Sequence, residues 1–220
     1  MNLMKKWLAF GLIMALLLGC AACGSVEENL DKVVDAIDQQ VNKEISRGEI
    51  DGNVYTSAFS GLTFTATEDW TFASDEEIAQ LMNVSMETMG NMNAYQEAIS
   101  EMATVYDMMA TDTLTGTNLS VMYENLSLTG NVGMTEEAYV DSLKSQMELV
   151  AGMTWTFEED SALVTLSGQE YLCFVAYTSY EGIEMQQNYY VRSMDKYMNA
   201  VIVTLVDGTD PETVEAMFEN

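Results

Sequence analysis

The chain has 220 residues, 48% of them hydrophobic, and 35 acidic residues against eight basic ones give a formal charge of −27 at pH 7. That length accommodates one compact domain with appendages, and so strong a negative charge argues against nucleic acid and anionic lipid surfaces as partners, because both would repel it. Histidine is absent, which excludes Ser-His-Asp and Cys-His nucleophilic schemes and nearly all catalytic zinc sites.

The first two dozen residues have the layout of a signal peptide. Two lysines precede an apolar run from Trp7 to Gly19 that is too short to span a bilayer comfortably. The junction that follows resembles the lipobox of bacterial lipoproteins, in which a small residue precedes the cysteine that receives a diacylglycerol group. Cys20, with Leu17 three positions before it, and Cys23, after an Ala-Ala pair, can each serve. We interpret residues 1–22 as the signal peptide and acylation region.

Residues 23–51 are predicted to link this anchor to the folded domain. Within Val26–Arg47 apolar side chains recur at helical spacing, with charged and amide side chains between them. An amphipathic stalk helix is expected, and it is too short for a coiled coil. Its apolar stripe consists of Leu30, Val33, Val34, Ile37, Val41 and Ile45.

Residues 52–220 are predicted to form a single α+β domain. Its opening reads as two short strands within Val54–Ala66, with a bend near Ser60-Gly61. A turn at Trp70 follows, and this tryptophan is expected to be largely buried. Ser74 and Glu77 then have the spacing of a capping box, which predicts the start of a helix.

The order of these opening elements resembles that of a known fold. A tyrosine-bearing strand, the sequence Phe59-x-Gly61-Leu62-x-Phe64, a tryptophan turn and a capped helix resemble the beginning of the PsbP-like fold. The resemblance implies an α-β-α sandwich around a mainly antiparallel sheet over roughly Gly52–Phe218. It also implies an accessory or binding scaffold without a transferable catalytic motif. A proline is common before the tryptophan turn, where this chain has Thr67.

The middle of the chain alternates between helix and strand signals. Met82–Met102 is predicted to be helical with a break near Gly90-Asn91, and Val105–Ala110 and Asn118–Asn125 are predicted strands. Thr135 is expected to cap a further helix.

Four antiparallel strands are predicted over Ser161–Val206, because turn-prone clusters separate runs rich in Val, Ile, Tyr and Thr. The second and fourth runs are apolar on both faces, which calls for helices on both sides of the sheet. The third run, Ile183–Arg192, has more polar side chains on one face and is expected to be half-buried. Cys173 lies in the most apolar run and is expected to be a buried small side chain. Asp210-Pro211 predicts the start of a terminal helix.

Three motifs are candidates for chemistry. Met86, Met89 and Met92 have a spacing that resembles methionine motifs of extracytoplasmic copper proteins, and thioethers suit Cu(I). The alternative is core packing, since the chain has 18 methionines. Ser193 and Lys196 match S-x-x-K, but the accompanying S-D-N and K-T-G motifs do not occur and the pair falls in a predicted turn. Paired carboxylates are the third candidate.

These observations predict a non-catalytic, lipid-anchored accessory or binding lipoprotein on the extracytoplasmic side of the cell membrane. Its expected partner, besides the membrane, is an envelope protein or polymer, with no nucleic acid and no cofactor. Tyr180, Tyr189 and Tyr190 are candidate anchors for that partner, or ordinary strand residues. The alternatives are a Cu(I)-binding envelope lipoprotein that uses methionine ligands and an enzyme that uses carboxylates.

Overall fold

The structure is a computed structural model that describes residues 45–180, 183–206 and 208–218. Cys20, Cys23 and nearly all of the predicted stalk therefore lie outside the described residues. A small sheet begins the described part of the chain, with the strands in the order β1-β2-β3. Its strands are β1 (Glu49–Asp51), β2 (Val54–Thr56) and β3 (Thr63–Thr65). The predicted hairpin is confirmed, since Thr56 pairs with Thr63 across the bend.

A larger sheet forms the centre of the molecule, and every described pairing within it is antiparallel. Its strands are β4 (Trp70–Phe72), β5 (Thr104–Asp112), β6 (Asn118–Asn125), β7 (Trp155–Phe157), β8 (Ala162–Leu166), β9 (Gln169–Tyr180), β10 (Ile183–Met194) and β11 (Tyr197–Leu205). The spatial order is β4-β5-β6-β11-β10-β9-β7, and β8 pairs with the same side of β9 as β7 does. The predicted meander is therefore confirmed as β8 to β11.

Six short to medium helices lie in the described ranges. They are α1 (Asp75–Met82), α2 (Met86–Met89), α3 (Met92–Ser100), α4 (Leu126–Thr129), α5 (Glu136–Met147) and α6 (Pro211–Glu215), the last continued by a 3₁₀ turn at Ala216–Phe218. The capping box of Ser74 and Glu77 is confirmed, as are the caps at Thr135 and Asp210. Side-chain oxygens satisfy the first amide groups of these helices, so the sequence fixes where each begins.

Both faces of the large sheet are covered. Helix α5 packs on β9 and β10 on one face. On the other face the small sheet contributes Phe59, whose ring meets Tyr123 edge-on at 5.2 Å between centroids, and α6 contributes Glu215, which accepts a hydrogen bond from Tyr190. The expected α+β class with a mainly antiparallel sheet is confirmed.

Three expectations need correction. The domain begins before residue 52, because Ile45 is buried and β1 pairs with β2, and residues 45–48 are not helical. Trp70 is half-buried, because it packs against the core and the edge-on ring of Phe64 from β4, which lies at the edge of the sheet. Strand β10, expected to be half-buried, is covered on both faces along most of its length.

Candidate functional site

The carboxylate of Asp107 lies at the centre of a polar cluster between the two sheets. The register of β5 against β6 shifts between Tyr106 and Met108, so Asp107 is the extra residue of a β-bulge. Bulges re-aim side chains, and this one directs the carboxylate to the small sheet, where only 4% of the residue is exposed. A titratable group is therefore placed in the interior.

Three donors hold this carboxylate. The hydroxyl of Tyr55 donates to Oδ2 at 2.6 Å, the amide of Gly48 donates to Oδ1 at 2.8 Å, and the hydroxyl of Tyr123 donates to Oδ2 at 3.3 Å. Burial raises the pKa of Asp107, and the three donors oppose that rise by stabilising the ionised form. Asp107 thus joins β5, β6, the small sheet and the segment that precedes β1. We call this group of four residues the Asp107 cluster.

The polar contacts continue from Tyr123 along the gap between the sheets. Its hydroxyl lies 3.0 Å from the Ser57 hydroxyl and 3.1 Å from the Ser60 hydroxyl, and both serines can donate to its oxygen. The carbonyl of Ser60 accepts from Arg192 at 2.5 Å, and the guanidinium of Arg192 also lies over the ring of Tyr171 at 5.1 Å. Buried polar groups need such partners. These hydrogen bonds connect the small sheet to the large one.

The segment that emerges from the predicted stalk is held in the same region. The guanidinium of Arg47 forms an ion pair with Asp75 at the start of α1, and this contact lowers the pKa of Asp75. Ile45 is part of the hydrophobic core. Gly48 passes so close to Tyr55 that an added Cβ would lie 2.3 Å from Cε2 of its ring. Only glycine allows this approach of backbone to ring.

A second buried carboxylate, Glu124, lies on the opposite face of β6. It is 1% exposed, and its Oε2 accepts from the hydroxyl of Tyr139 in α5 at 2.8 Å. Its Oε1 has no hydrogen-bond partner among the described residues, and neither does the hydroxyl of Thr104, which faces Glu124 across the β5–β6 pair. Burial raises the pKa of Glu124 to about 7. This carboxyl group therefore changes its charge near neutral pH.

Each of the two carboxyl groups accepts a hydrogen bond from a buried tyrosine. Burial raises the pKa of Tyr55 and of Tyr139 well above the usual range, so both hydroxyls stay protonated at neutral pH and act as donors. The carboxylates in turn are acceptors that bind parts of this chain to one another. The arrangement suits internal fastening of segments and leaves both oxygens of Asp107 engaged by the protein itself.

The structure does not bring the three candidate methionines together on one surface. Met89 is 5% exposed and belongs to the core, whereas Met86 is 50% exposed and Met92, in the next helix, is 84% exposed. A Cu(I) site made of all three thioethers would require Met89 to leave the core. In the part of the chain that the structure describes, no group of three or more Cys, Asp and Glu side chains is arranged to hold a metal ion.

Two of the three candidate tyrosines, Tyr189 and Tyr190, lie in the interior, which corrects their role as surface anchors. Tyr189 is fully buried and stacks on Phe174 at 4.6 Å between centroids, and Tyr190 is buried with its hydroxyl 2.6 Å from Glu215. Both faces of β10 are covered along most of its length, so its alternating side chains point into two packed layers. Tyr180 ends β9, and its side chain lies outside what the structure describes.

The S-x-x-K pair and the cysteine of the apolar strand have positions that fit a structural role. Ser193 lies near the end of β10 and Lys196 lies in the turn that follows, with its ammonium group 5.5 Å from the centroid of the Tyr197 ring. Cys173 is buried, as expected, and burial raises the pKa of its thiol to about 12. A thiol in that state is unreactive at neutral pH.

The basic side chains in the described ranges are all engaged with the protein itself. Arg47 pairs with Asp75 and Arg192 lies over Tyr171, while Lys144 lies 5.3 Å from the centroid of the Phe174 ring. Lys196 lies over Tyr197. The acidic side chains of loops and first helical turns are largely exposed. The surface that a partner meets is therefore strongly negative.

Sequence reasoning did not single out Asp107 or Glu124. Each is an acid within a run of apolar and aromatic strand residues, and that is the signal that could have identified them. The bulge at Asp107 and the cover over Glu124 depend on residues distant in the chain, so the signal gives the position of a buried acid but not its partners.

Comparisons with known proteins give similarities at low identity. No protein-family model matches the chain, and no curated protein matches it in sequence. Among similar solved structures is a protein from Bacteroides thetaiotaomicron, with 11% identity over 76% of this chain and a TM-score of 0.41. The match covers 46% of that protein, so this chain spans less than half its length.

Two further structures are similar at the same level. The cyanobacterial PsbP (CyanoP) of Synechocystis shares 10% identity over 83% of this chain and 94% of its own, with a TM-score of 0.42. LpqN of Mycobacterium tuberculosis, which is described as involved in cell envelope biogenesis, shares 9% identity over 70% of this chain and 75% of its own, with a TM-score of 0.38. These figures describe a likeness of fold, and no activity of this chain follows from them.

Proposed function

We propose that this protein is a lipid-anchored accessory protein on the extracytoplasmic side of the cell membrane that works by binding and not by catalysis. The observation that carries the proposal is the Asp107 cluster together with its N-terminal contacts. The residues that follow the predicted stalk are fixed to the domain through Ile45, the Arg47–Asp75 ion pair and the Gly48 amide. These contacts attach the domain firmly to the segment that leads to the proposed lipid anchor.

Two further observations support a binding role. The carboxyl groups with raised pKa values, Asp107 and Glu124, are enclosed and accept hydrogen bonds from tyrosines of the same chain. The basic side chains in the described part are also engaged internally, which leaves a negative outer surface that favours cationic partners. No helix in the described ranges is long and apolar enough to cross a membrane.

The anchor is tested by labelling with radioactive palmitate in a bacterial host, followed by separation of membrane and soluble fractions. The Cys20→Ala/Cys23→Ala double variant should lose the label and leave the membrane fraction, because two acyl chains are needed for stable attachment. Cys173→Ala is the matched control and should stay labelled. A correctly cleaved double variant that remains in the membrane would contradict the proposed anchor.

The binding role is tested by incubating the purified protein with envelope polymers, esters, glycosides and peptides. We expect no turnover above that of a heat-denatured sample. Reproducible turnover that is lost on replacing a single carboxylate or serine, in a variant whose circular dichroism spectrum is unchanged, would overturn the non-catalytic proposal.

A further inference from the structure

Strand β8 has one side that pairs with β9 and one side without a neighbouring strand. The two strands are joined by Ser167 and Gly168, which both have positive φ (50° and 73°), as a two-residue type I′ turn requires. In such a hairpin the residues next to the turn, Leu166 and Gln169, exchange hydrogen bonds, and every second pair does the same. The N–H and C=O groups of Leu163 and Thr165 therefore point outward.

Ser167 follows Leu163 and Thr165 on the same side of the chain, and its backbone amide also points away from β9. The amide of Ser167 donates to the carbonyl of Phe218 at 2.9 Å, so the C-terminal 3₁₀ turn caps this end of the edge. Further along, the outward N–H and C=O groups of Leu163 and Thr165 have no hydrogen-bond partner within the described ranges. Both side chains are exposed, Leu163 by 66%. Two backbone donors and two acceptors are thus open to solvent beside an exposed leucine.

The residues of β8 do not protect this edge. Proteins normally guard an edge strand with charges, prolines, bulges or a very short length, because an open edge pairs with other chains. In β1 the edge is three residues long and carries Glu49 and Asp51. Strand β8 has five residues, Ala162–Leu166, and contains neither a charge nor a proline or glycine. An open edge of this kind is suited to the addition of a strand.

The charges around β8 indicate which kind of chain could pair with its open edge. Glu158, Glu159 and Asp160 are exposed just before the strand, and Glu170 is exposed opposite Thr165. A second copy of this chain would bring the same acidic groups, and a formal charge of −27, against the first. Like charges across an interface oppose binding, whereas a basic segment gains attraction. Charge complementarity therefore favours a basic partner over self-association.

We propose that the free edge of β8 binds an extended, basic segment of a partner protein as an added strand. The backbone groups of Leu163 and Thr165 pair with the segment, the side chain of Leu163 meets an apolar residue of it, and the acidic residues on both sides attract its basic residues. This inference rests on the proposed binding role and names the class of partner.

The test uses the full-length protein in neutral detergent micelles and fluorescein-labelled peptides of about eight residues, a usual strand length. A peptide of alternating lysine and valine should raise the fluorescence anisotropy on binding, and raising the salt from about 0.01 M to about 1 M should weaken binding, since the screening length shortens. A peptide of alternating glutamate and valine, and a lysine–valine peptide with central prolines, should not bind.

Two variants, each with a matched control, locate the site. Leu163→Lys should weaken binding of the lysine–valine peptide by about tenfold or more, because a like charge replaces the apolar contact. Leu114→Lys, an equally charged change at an exposed leucine in the β5–β6 turn, is the matched control and should bind as the wild type does. Thr165→Pro removes an outward N–H without touching the β9 pairing and should also weaken binding, while Thr165→Val should not.

The outcomes separate this inference from the proposed function. Equal binding by the Leu163→Lys and Leu114→Lys proteins, binding of the glutamate–valine peptide, or no binding of the lysine–valine peptide would each overturn it. A dimer that disappears in the Leu163→Lys protein would identify a second copy as the occupant and would also overturn it. If Thr165→Pro changes the circular dichroism spectrum, its fold is altered, and the comparison of Leu163→Lys with Leu114→Lys decides whether the edge of β8 is the binding site. Palmitate labelling is independent of these measurements, so either proposal can fail alone.

Discussion

The buried Glu124 should make the stability of this protein depend on pH in an unusual direction. Its pKa is raised from an ordinary value of 4.5 to about 7 because burial disfavours the carboxylate. Between these two values the folded state holds a proton that the unfolded state has released, so the free energy of unfolding falls as the pH rises. Above about pH 7 both states are ionised and the cost of the buried charge is fully present.

The magnitude follows from the difference between the two pKa values. At about 1.4 kcal/mol per pH unit, that difference corresponds to a loss of about 3 kcal/mol of stability between mildly acidic and mildly alkaline solution. Other groups contribute to the pH profile of the wild type, including Asp107, whose pKa is also raised. A variant that is neutral at position 124 removes only the contribution of this carboxyl group.

Glu124→Gln is that variant, because its amide oxygen can still accept from Tyr139 and its amide group can donate to the unpartnered hydroxyl of Thr104. Urea unfolding, followed by circular dichroism from pH 5 to pH 8, gives the free energy for both proteins. The two should be similar near pH 5, and the variant should be more stable by about 3 kcal/mol near pH 8. Parallel pH profiles would refute the reasoning, since they would show that Glu124 ionises without cost.

Three further changes test the interior. Asp107→Ala leaves three donors without their acceptor and should lower the free energy of unfolding by about 3 kcal/mol, with Asp107→Asn losing less; equal losses in urea unfolding would contradict the role of the acceptor oxygens. Ile45→Ala should cost about 2 to 4 kcal/mol, measured in the same way, because the side chain is buried; a cost near zero would place the segment outside the core. In the Cys20→Ala/Cys23→Ala protein, iodoacetamide should modify Cys173 only after unfolding, since the native thiol is buried with a pKa of about 12; rapid modification of the folded protein, detected by mass spectrometry, would be inconsistent with that burial.

Much of the secondary structure could be predicted, because its signals are local. The capping box at Ser74 and Glu77, the cap at Thr135 and the Asp210-Pro211 start each depend on residues within one helical turn. The meander from β8 to β11 follows from turn-prone clusters at regular intervals, and the positive φ of Ser167 and Asp195 confirms two of those turns. Strand β7 was not foreseen, since three residues are too few to show a period.

The candidate sites were predicted less well, because exposure depends on what packs against an element. Tyr189 and Tyr190 alternate as a half-buried strand would, yet α5 covers one face of β10 and α6 with the small sheet covers the other. Met89 points into the core while Met86 does not, although both belong to one spacing. A pattern of residue types cannot distinguish a solvated face from a polar face under a second layer.

The class of fold, the order of strands in the meander and the beginnings of the main helices can be read from the amino-acid sequence, because each is encoded in residues a few positions apart. The packing of the layers decided that Asp107 faces inward and that Gly48, 59 positions earlier, donates to it. It likewise decided that Tyr139 meets Glu124. The free energy of a buried carboxyl group is set by the donors and the solvent exclusion that distant segments supply, and these exist only once the layers have packed.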